Sequence, residues 1–408
     1  MKHPSLLFAA SLALLASASA FAQDMFLPND RYGIILGSAR VSPHASAGVF
    51  FDSNPDYVRE GEEDARFGTA EDYDSWGYSV QPGVDLKWQA NHWLLAADAW
   101  YTMERFEKEF LESRDSWGES ASLSFEGQRD LYVTVAESYK YVRETDEDAA
   151  RWKDRYELAA GIDVDKALGE KTIVGAGAKY RSLDYDSSLL NDWSKVSLDA
   201  RLARAITEKM NATLTGRYET DESEHQDGSA DTWTGLLGVS SRATDKISYS
   251  LGVGVHFYTG FDDSEKTKFA YHAQAKWAPT EKFDLSLAGN TSFYPAEDEF
   301  DSSIYEIGAG LVARYRPISR WLLSASLNYQ REDYTQEVRT GSNVIMDESA
   351  ILGRHRVDNY VTAVAGASFA LSQYASVNGR FAYSFDDSTI AEYEYDRWRA
   401  TLGVTLRY

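Results

Sequence analysis

The sequence predicts an all-β fold, a transmembrane antiparallel up-and-down β-barrel of about 18 strands, with 16 as the smaller count. Three observations predict it. Apolar residues alternate with polar or small ones from residue 41 onward, in segments of about 9–13 residues, near the length a tilted strand needs to cross a bilayer. Short connections alternate with long ones along the chain. Tyr, Phe and Trp cluster beside both kinds of connection, where amphipathic rings meet a membrane surface.

The first residues read as a secretory signal peptide. Lys2 gives a positive start, Leu6 to Ala20 is apolar and uncharged, and Ala20-Phe21-Ala22 has the small-x-small cleavage pattern. Cleavage is expected after Ala22. The expected organisation is a signal peptide over 1–22, a periplasmic segment over 23–40 and an outer-membrane barrel over 41–408. Removing the signal takes away Lys2 alone as a charge, so 40 basic residues face 64 acidic ones. Nucleic acid is excluded as an expected partner for so acidic a chain. The absence of cysteine excludes disulfides and thiolate metal sites. No later segment reaches about 18 consecutive apolar residues, so no transmembrane helix is expected.

The alternation places strands near 41–53, 76–88, 93–106, 116–126, 130–142, 155–166, 171–182, 193–205, 210–219, 232–242, 247–258, 267–278, 283–294, 304–316, 321–331, 359–371, 375–386 and 396–408. In one of the clearest, Tyr249, Leu251, Val253, Val255 and Phe257 alternate with Ser250, Gly252, Gly254 and His256. Period two means one face apolar and one face wet. Thr207-Glu208-Lys209, Thr244-Asp245-Lys246 and Thr280-Glu281-Lys282 recur as short turns, with Leu168 to Lys171 before them. Their lysines fall 36 to 38 residues apart, one hairpin per interval. The long connections, such as Asn54 to Asp74, Thr220 to Asp231 and Arg331 to Arg356, are polar. This asymmetry puts short turns and both termini on the periplasmic side.

Trp88, Trp93, Trp277, Phe283 and Trp321 form the expected girdle at the short turns. Trp76, Trp117, Tyr139, Tyr180, Tyr218 and Tyr329 form the other. Tyr408 ends the chain on the outward face, as a C-terminal signal for barrel-insertion machinery would. The hairpin about Gly127 to Arg129 is expected to pair Trp117 with Tyr139 and Glu119 with Glu137, all outward. Two like charges opposite each other are unfavourable. They read either as headgroup-zone acids bridged by divalent cations or as a protein-contact patch.

The inward residues are polar. The expected lumen charges are Asp85, Asp98, Asp163, Asp199, Arg201, Arg217, His272, Arg314, Arg380, Arg397 and Arg399. Acids dominate the inward set of strands 2 to 7 and arginines that of strands 14 to 18, so opposite walls carry opposite charge or neutralise themselves in salt bridges. Catalytic residues, metal and cofactor are not expected. His44, His256 and His272 read as lumen residues, His92 as a turn residue, and His225 and His355 as loop residues. No Gly-x-Ser-x-Gly or His-Glu-x-x-His pattern occurs. The acidic run Asp221 to Gly228 departs from an EF-hand loop and reads as solvated.

Ser42-Pro43-His44, Phe51-Asp52-Ser53-Asn54, Trp100-Tyr101-Thr102-x-Glu104-Arg105, Phe125-Glu126-Gly127-Gln128-Arg129 and the Thr-Glu-Lys turns resemble the β-barrel porin type 2 family of bacterial outer-membrane proteins, over residues 33 to 408. The resemblance implies a Gram-negative outer-membrane barrel that helps an exopolysaccharide across. Implied partners are outer-membrane lipid, lipopolysaccharide, the insertion machinery and a periplasmic polysaccharide-export protein. It brings no catalytic residues. The first loop is unusually acidic (Glu60, Glu62, Glu63, Asp64), against contact with an anionic polymer there. The expected function is a porin or export conduit. A non-conducting structural or assembly barrel is the alternative, and an outer-membrane hydrolase the third class.

Overall fold

The computed structural model describes residues 33–55, 74–108, 113–127, 130–145, 152–186, 192–224, 228–296, 303–337, 355–390 and 393–408. The signal-peptide stretch, the acidic first-loop run Glu60 to Asp64, Gln128-Arg129 and His225 lie outside them.

The described strands are β1 (Ile34–Leu36), β2 (Ala39–Asp52), β3 (Ser75–Ala90), β4 (Trp93–Phe106), β5 (Arg114–Gly127), β6 (Leu131–Thr145), β7 (Trp152–Ala167), β8 (Thr172–Tyr185), β9 (Trp193–Ala205) and β10 (Met210–Ser223). They continue as β11 (Ser229–Thr244), β12 (Ile247–Thr259), β13 (Glu265–Thr280), β14 (Phe283–Pro295), β15 (Ser303–Tyr315), β16 (Trp321–Glu337), β17 (His355–Ala370), β18 (Ala375–Ser388) and β19 (Tyr395–Arg407). From β2 to β19 each pairs antiparallel with its sequence neighbours, and β19 pairs with β2. The barrel is closed, with 18 strands. Lipid offers backbone groups no hydrogen bonds, and closure leaves no edge in need of them.

All eighteen expected strands are present. The addition is β1, which falls inside the segment expected to precede the barrel. It pairs Ile34–Leu36 with Ala39–Val41, on the edge of β2 that β19 leaves free when it stops at His44. The Tyr408 amide donates to the Pro43 carbonyl at 3.0 Å, so the two fill one edge end to end. Strands also run further at the long-loop end than expected: β10 continues to Ser223, and β16 to Glu337. Polar alternation there reads as loop in sequence, but ladder hydrogen bonds persist beyond the lipid.

The repeated turns have a chemical reason. Thr207, Thr244 and Thr280 each accept, through the side-chain hydroxyl, the amide of the lysine two residues on, at 3.3, 3.1 and 3.3 Å. Ser372 does the same for Tyr374. A hydroxyl that mimics a backbone turn lets the strands reverse tightly. The Lys282 ammonium also reaches the Pro317 carbonyl of the next turn.

The outward face is apolar and ringed with aromatics at both ends. Trp93 packs on Phe125, and Trp321 on Phe369, near the short turns. At the other end Phe51 contacts Trp76 and Trp398, and Tyr218 contacts Trp233. One expected register is corrected. The β5–β6 ladder pairs Trp117 with Tyr141, Glu119 with Tyr139 and Ala121 with Glu137. It is offset by two residues, so both acids stay exposed on the outer face but are diagonal rather than opposed. The pairing is centred one residue later than the sequence predicts, because Gly127 pairs with Leu131 and Asp130 takes a positive φ of 54°.

Leu237 lies midway along β11, opposite Val253 and 66 % exposed, where acyl chains belong. Leu237→Arg is expected to destabilise the folded barrel by about 2–4 kcal/mol. Folding titrations into phospholipid bilayers measure this.

Candidate constriction of the lumen

Inward side chains fill the barrel unevenly. Toward the long-loop end they meet in three buried clusters.

The first cluster spans the closing seam. Asp52, fully buried, accepts from Arg397 Nε at 2.8 Å and also from its Nη2. Arg399 donates to Glu104 Oε1 at 2.6 Å and lies over the Phe50 ring at 3.9 Å. Arg114 sits over Phe106 and donates to the Pro55 carbonyl. The second cluster lies on β16–β18 and the turn after them. Arg356, fully buried, donates to Asp358 at 2.6 Å and is sandwiched between Tyr393 and Tyr334 at 3.4 and 4.4 Å.

The third cluster departs from simple barrel geometry. β13 and β14 pair only up to His272↔Asn290, although both strands run on past that point. Beyond it, the β14–β15 end turns into the lumen. Phe293 has the parity of lipid-facing Leu287 but is 1 % exposed and stacks on inward Tyr258, with centroids 4.3 Å apart and planes at 7°. Tyr305 packs beside it and donates to the Phe269 carbonyl. His256 is held between the Thr234 and Thr291 hydroxyls, at 2.7 and 2.9 Å. Lys195, on β9, reaches across to the Phe293 carbonyl and lies 3.4 Å from Asp221. A small aromatic core (Ala230, Tyr258, Phe293, Tyr305) therefore sits inside the barrel mouth. The sequence reading missed it, because Phe293 and Tyr305 alternate as girdle residues do.

The structure places the expected lumen residues on the inner face and shows what each meets. Arg201 bridges Asp163 at 3.0 Å, Asp165 at 3.4 Å and Asp199 at 3.5 Å. Gly175 and Gly177 make room for this group: a Cβ would come 2.1 Å from Asp165 Oδ1 at the first and 2.6 Å from Asp199 Oδ1 at the second. Asp85 takes His44 at 3.4 Å, and Asp98 accepts from Ser120. Arg314 stands opposite Asp284. Arg397 and Arg399 belong to the closing seam, neutralised by Asp52 and Glu104. Arg217, His272 and Arg380 make no ion pair or side-chain hydrogen bond among the described residues. Of the two arrangements the sequence left open, opposed charged walls or local neutralisation, the ion pairs follow the second. The carboxylates that neutralise these two arginines, Asp52 and Glu104, sit near strand ends and are not among the lumen charges expected from sequence. Tyr408 lies exposed on the outer face, stacked on Tyr374.

The wall from β17 round to β2 is different. It is lined with small hydroxyl and amide groups: Ser46 bonds Thr405 at 2.8 Å, Ser368 bonds Asn378 at 2.7 Å, and Asn378 bonds Thr405 at 3.1 Å. Arg380 rises from this wall, between Gly366 and Thr401 on the neighbouring strands.

A closed barrel with an apolar exterior, aromatic belts and a polar interior is the architecture of an outer-membrane porin, and family comparison agrees. Residues 250–408 match the family described as "Putative beta-barrel porin 2". The match takes in nearly all of β12 and every strand from there to the closing one. Of the motifs that carried the resemblance in sequence, the Thr280-Glu281-Lys282 turn lies within it, while those between Ser42 and Arg129 lie before it. Curated proteins show no match. Among solved structures the chain is similar to the outer membrane protein opdK from Pseudomonas aeruginosa, at 12 % identity over 92 % of this chain and 100 % of that one, TM-score 0.45. It is similar to the siderophore receptor PirA from the same organism, at 10 % identity over 90 % and 80 %, TM-score 0.44. A third is the siderophore receptor PiuA from Acinetobacter baumannii, at 9 % over 93 % and 82 %, TM-score 0.44.

Asp52 holds the seam at which the barrel closes. Removing one partner from a buried ion pair costs about 3–5 kcal/mol, so Asp52→Ala is expected to lower the temperature at which the folded band converts to the unfolded one in unboiled-versus-boiled gel electrophoresis.

Proposed function

We propose that the protein is an exported outer-membrane conduit for polar solutes, with its signal peptide removed after Ala22 and its short turns in the periplasm. The observation that carries this is the two-faced wall: alternate side chains meet lipid, and those between them present charged, hydroxyl and amide groups to a closed interior. Conduction is the chemistry such a wall supports, and the reading includes no catalytic step.

The solute class proposed is a secreted polysaccharide. The hydroxyl and amide wall from β17 to β2 supports it, since its less buried members, Ser46, Asn378 and Thr401, carry groups that hydrogen-bond sugar hydroxyls. The family resemblance points the same way, toward a periplasmic export protein as partner. Arg380, which makes no ion pair among the described residues, makes that wall attractive to uronic or otherwise acidic sugars.

Purified protein in planar bilayers is expected to give discrete conductance steps, and Arg380→Glu to shift the reversal potential in a salt gradient toward cation preference. Electrical silence under every voltage and salt condition contradicts the conduit and favours a purely structural barrel.

A further inference from the structure

We infer that the long-loop end of β14–β15 is a hinged flap with two hydrogen-bonded positions: the inward one seen here, which obstructs the mouth, and a second in which it zips onto β13 and clears the lumen. The inference rests on the conduit reading for its consequence, but not for its geometry.

The geometry begins with a ladder that stops early. The β13–β14 register holds from Thr280↔Phe283, through a shift, to His272↔Asn290. Continued without change, it would pair Tyr271 with Thr291, Phe269 with Phe293 and Thr267 with Pro295. Pro295 is the last residue of β14 and has no N–H to donate, so a zipped ladder would end where the strand does. Both strands are thus long enough and in register to pair, yet they part.

In the parted state side chains stand in for the missing ladder. The Thr291 hydroxyl accepts from the Tyr271 amide at 3.1 Å, and the Tyr305 hydroxyl donates to the Phe269 carbonyl. The Tyr271 ring lies over Gly289 on the outer face, and its hydroxyl donates to the Gly308 carbonyl at 2.7 Å, which marks the fork. Two backbone groups on the opened edge, the Tyr271 amide and the Phe269 carbonyl, are thereby satisfied in the parted position, as the ladder would satisfy them in the zipped one.

Side-chain parity fits both positions too. Phe293 and Tyr305 carry the parity of lipid-facing residues on their strands. Inward, they pack on Tyr258 and Ala230. Zipped, they would join Phe269 and Phe257, both exposed on the outer face, in the aromatic belt. The groups left behind on the inner face, His256, Tyr258 and Lys268, each carry a polar end able to face water. The inward position has its own latches. Lys195 bonds the Phe293 carbonyl from across the lumen, Lys268 pairs with Asp333 at 2.9 Å, and Lys266 donates to the Thr335 carbonyl. A flap whose exposed and buried faces suit both environments is a bistable element rather than a fixed plug.

The chain has no cysteine, so paired cysteines report without background. Phe269→Cys with Phe293→Cys places thiols on one face only when the strands are zipped. Tyr258→Cys with Phe293→Cys places them together only in the inward position, where a short bis-methanethiosulfonate reagent bridges them. Each protein is its own control on reduction, and gel mobility before boiling reports folding. The expected result is that both pairs cross-link. Single-channel conductance should rise several-fold when the 269–293 pair is oxidised and be held at its lowest level when the 258–293 pair is bridged. Failure of the 269–293 pair to cross-link in folded protein, with the 258–293 pair bridging fully, overturns the flap even if the protein conducts. Cross-linking of both pairs in a protein that stays electrically silent upholds the flap and overturns the conduit reading instead.

Discussion

The constraint on which the rest depends is that lipid cannot hydrogen-bond a peptide group. Every backbone amide and carbonyl within the bilayer must find its partner inside the sheet, and for strands this is possible only if the sheet closes. Closure here is the pairing of β19 with β2, from Arg399↔Asp52 to Arg407↔His44. The short strand β1 and the Tyr408 amide complete the same edge. The ion pairs between Asp52 and Arg397, and between Arg399 and Glu104, lie against this seam on the inner side. The first and last strands of the closed barrel and a buried charge cluster thus meet at one place.

Closure divides the side chains into two populations, and each obeys its own solvent. Outside, the pattern is tolerant: any apolar residue serves, with aromatics at the two interfaces. Inside, the pattern is specific. Arg201 takes three carboxylates, two glycines on β8 make room for them, and Arg356 lies between two tyrosines. Lining groups satisfy one another, and toward the long-loop end they pack into buried clusters.

How much of this was legible in the sequence follows from which solvent each residue meets. The eighteen strands were legible because lipid enforces period two over a whole strand, and the Thr-x-Lys turns because a hydroxyl two residues before an amide is a local device. The inward sense of Asp163, Arg201, Arg380 and Arg399 followed from parity alone. What each inward group bonds did not, because Asp52 and Arg397 are neighbours only after closure joins β19 to β2. The β5–β6 register was read two residues out, since a turn boundary moves pairing without moving faces. The inward turn of β14–β15 was hidden for a deeper reason: Phe293 and Tyr305 are placed as girdle residues, and nothing local says that the strand has left the wall. β1 was hidden because three apolar residues carry no period.

The central claim is that lipid and the interior alternate along each strand. Single cysteines placed one at a time along β18, from Val377 to Tyr383, and spin-labelled in proteoliposomes, test it most directly through the relative accessibility of oxygen and a nickel chelate. The account predicts a period of two, with labels at 377, 379, 381 and 383 favouring oxygen and those at 378, 380 and 382 favouring the chelate. Accessibility that is uniform along the strand, or that repeats every three to four residues as in a helix, would contradict it.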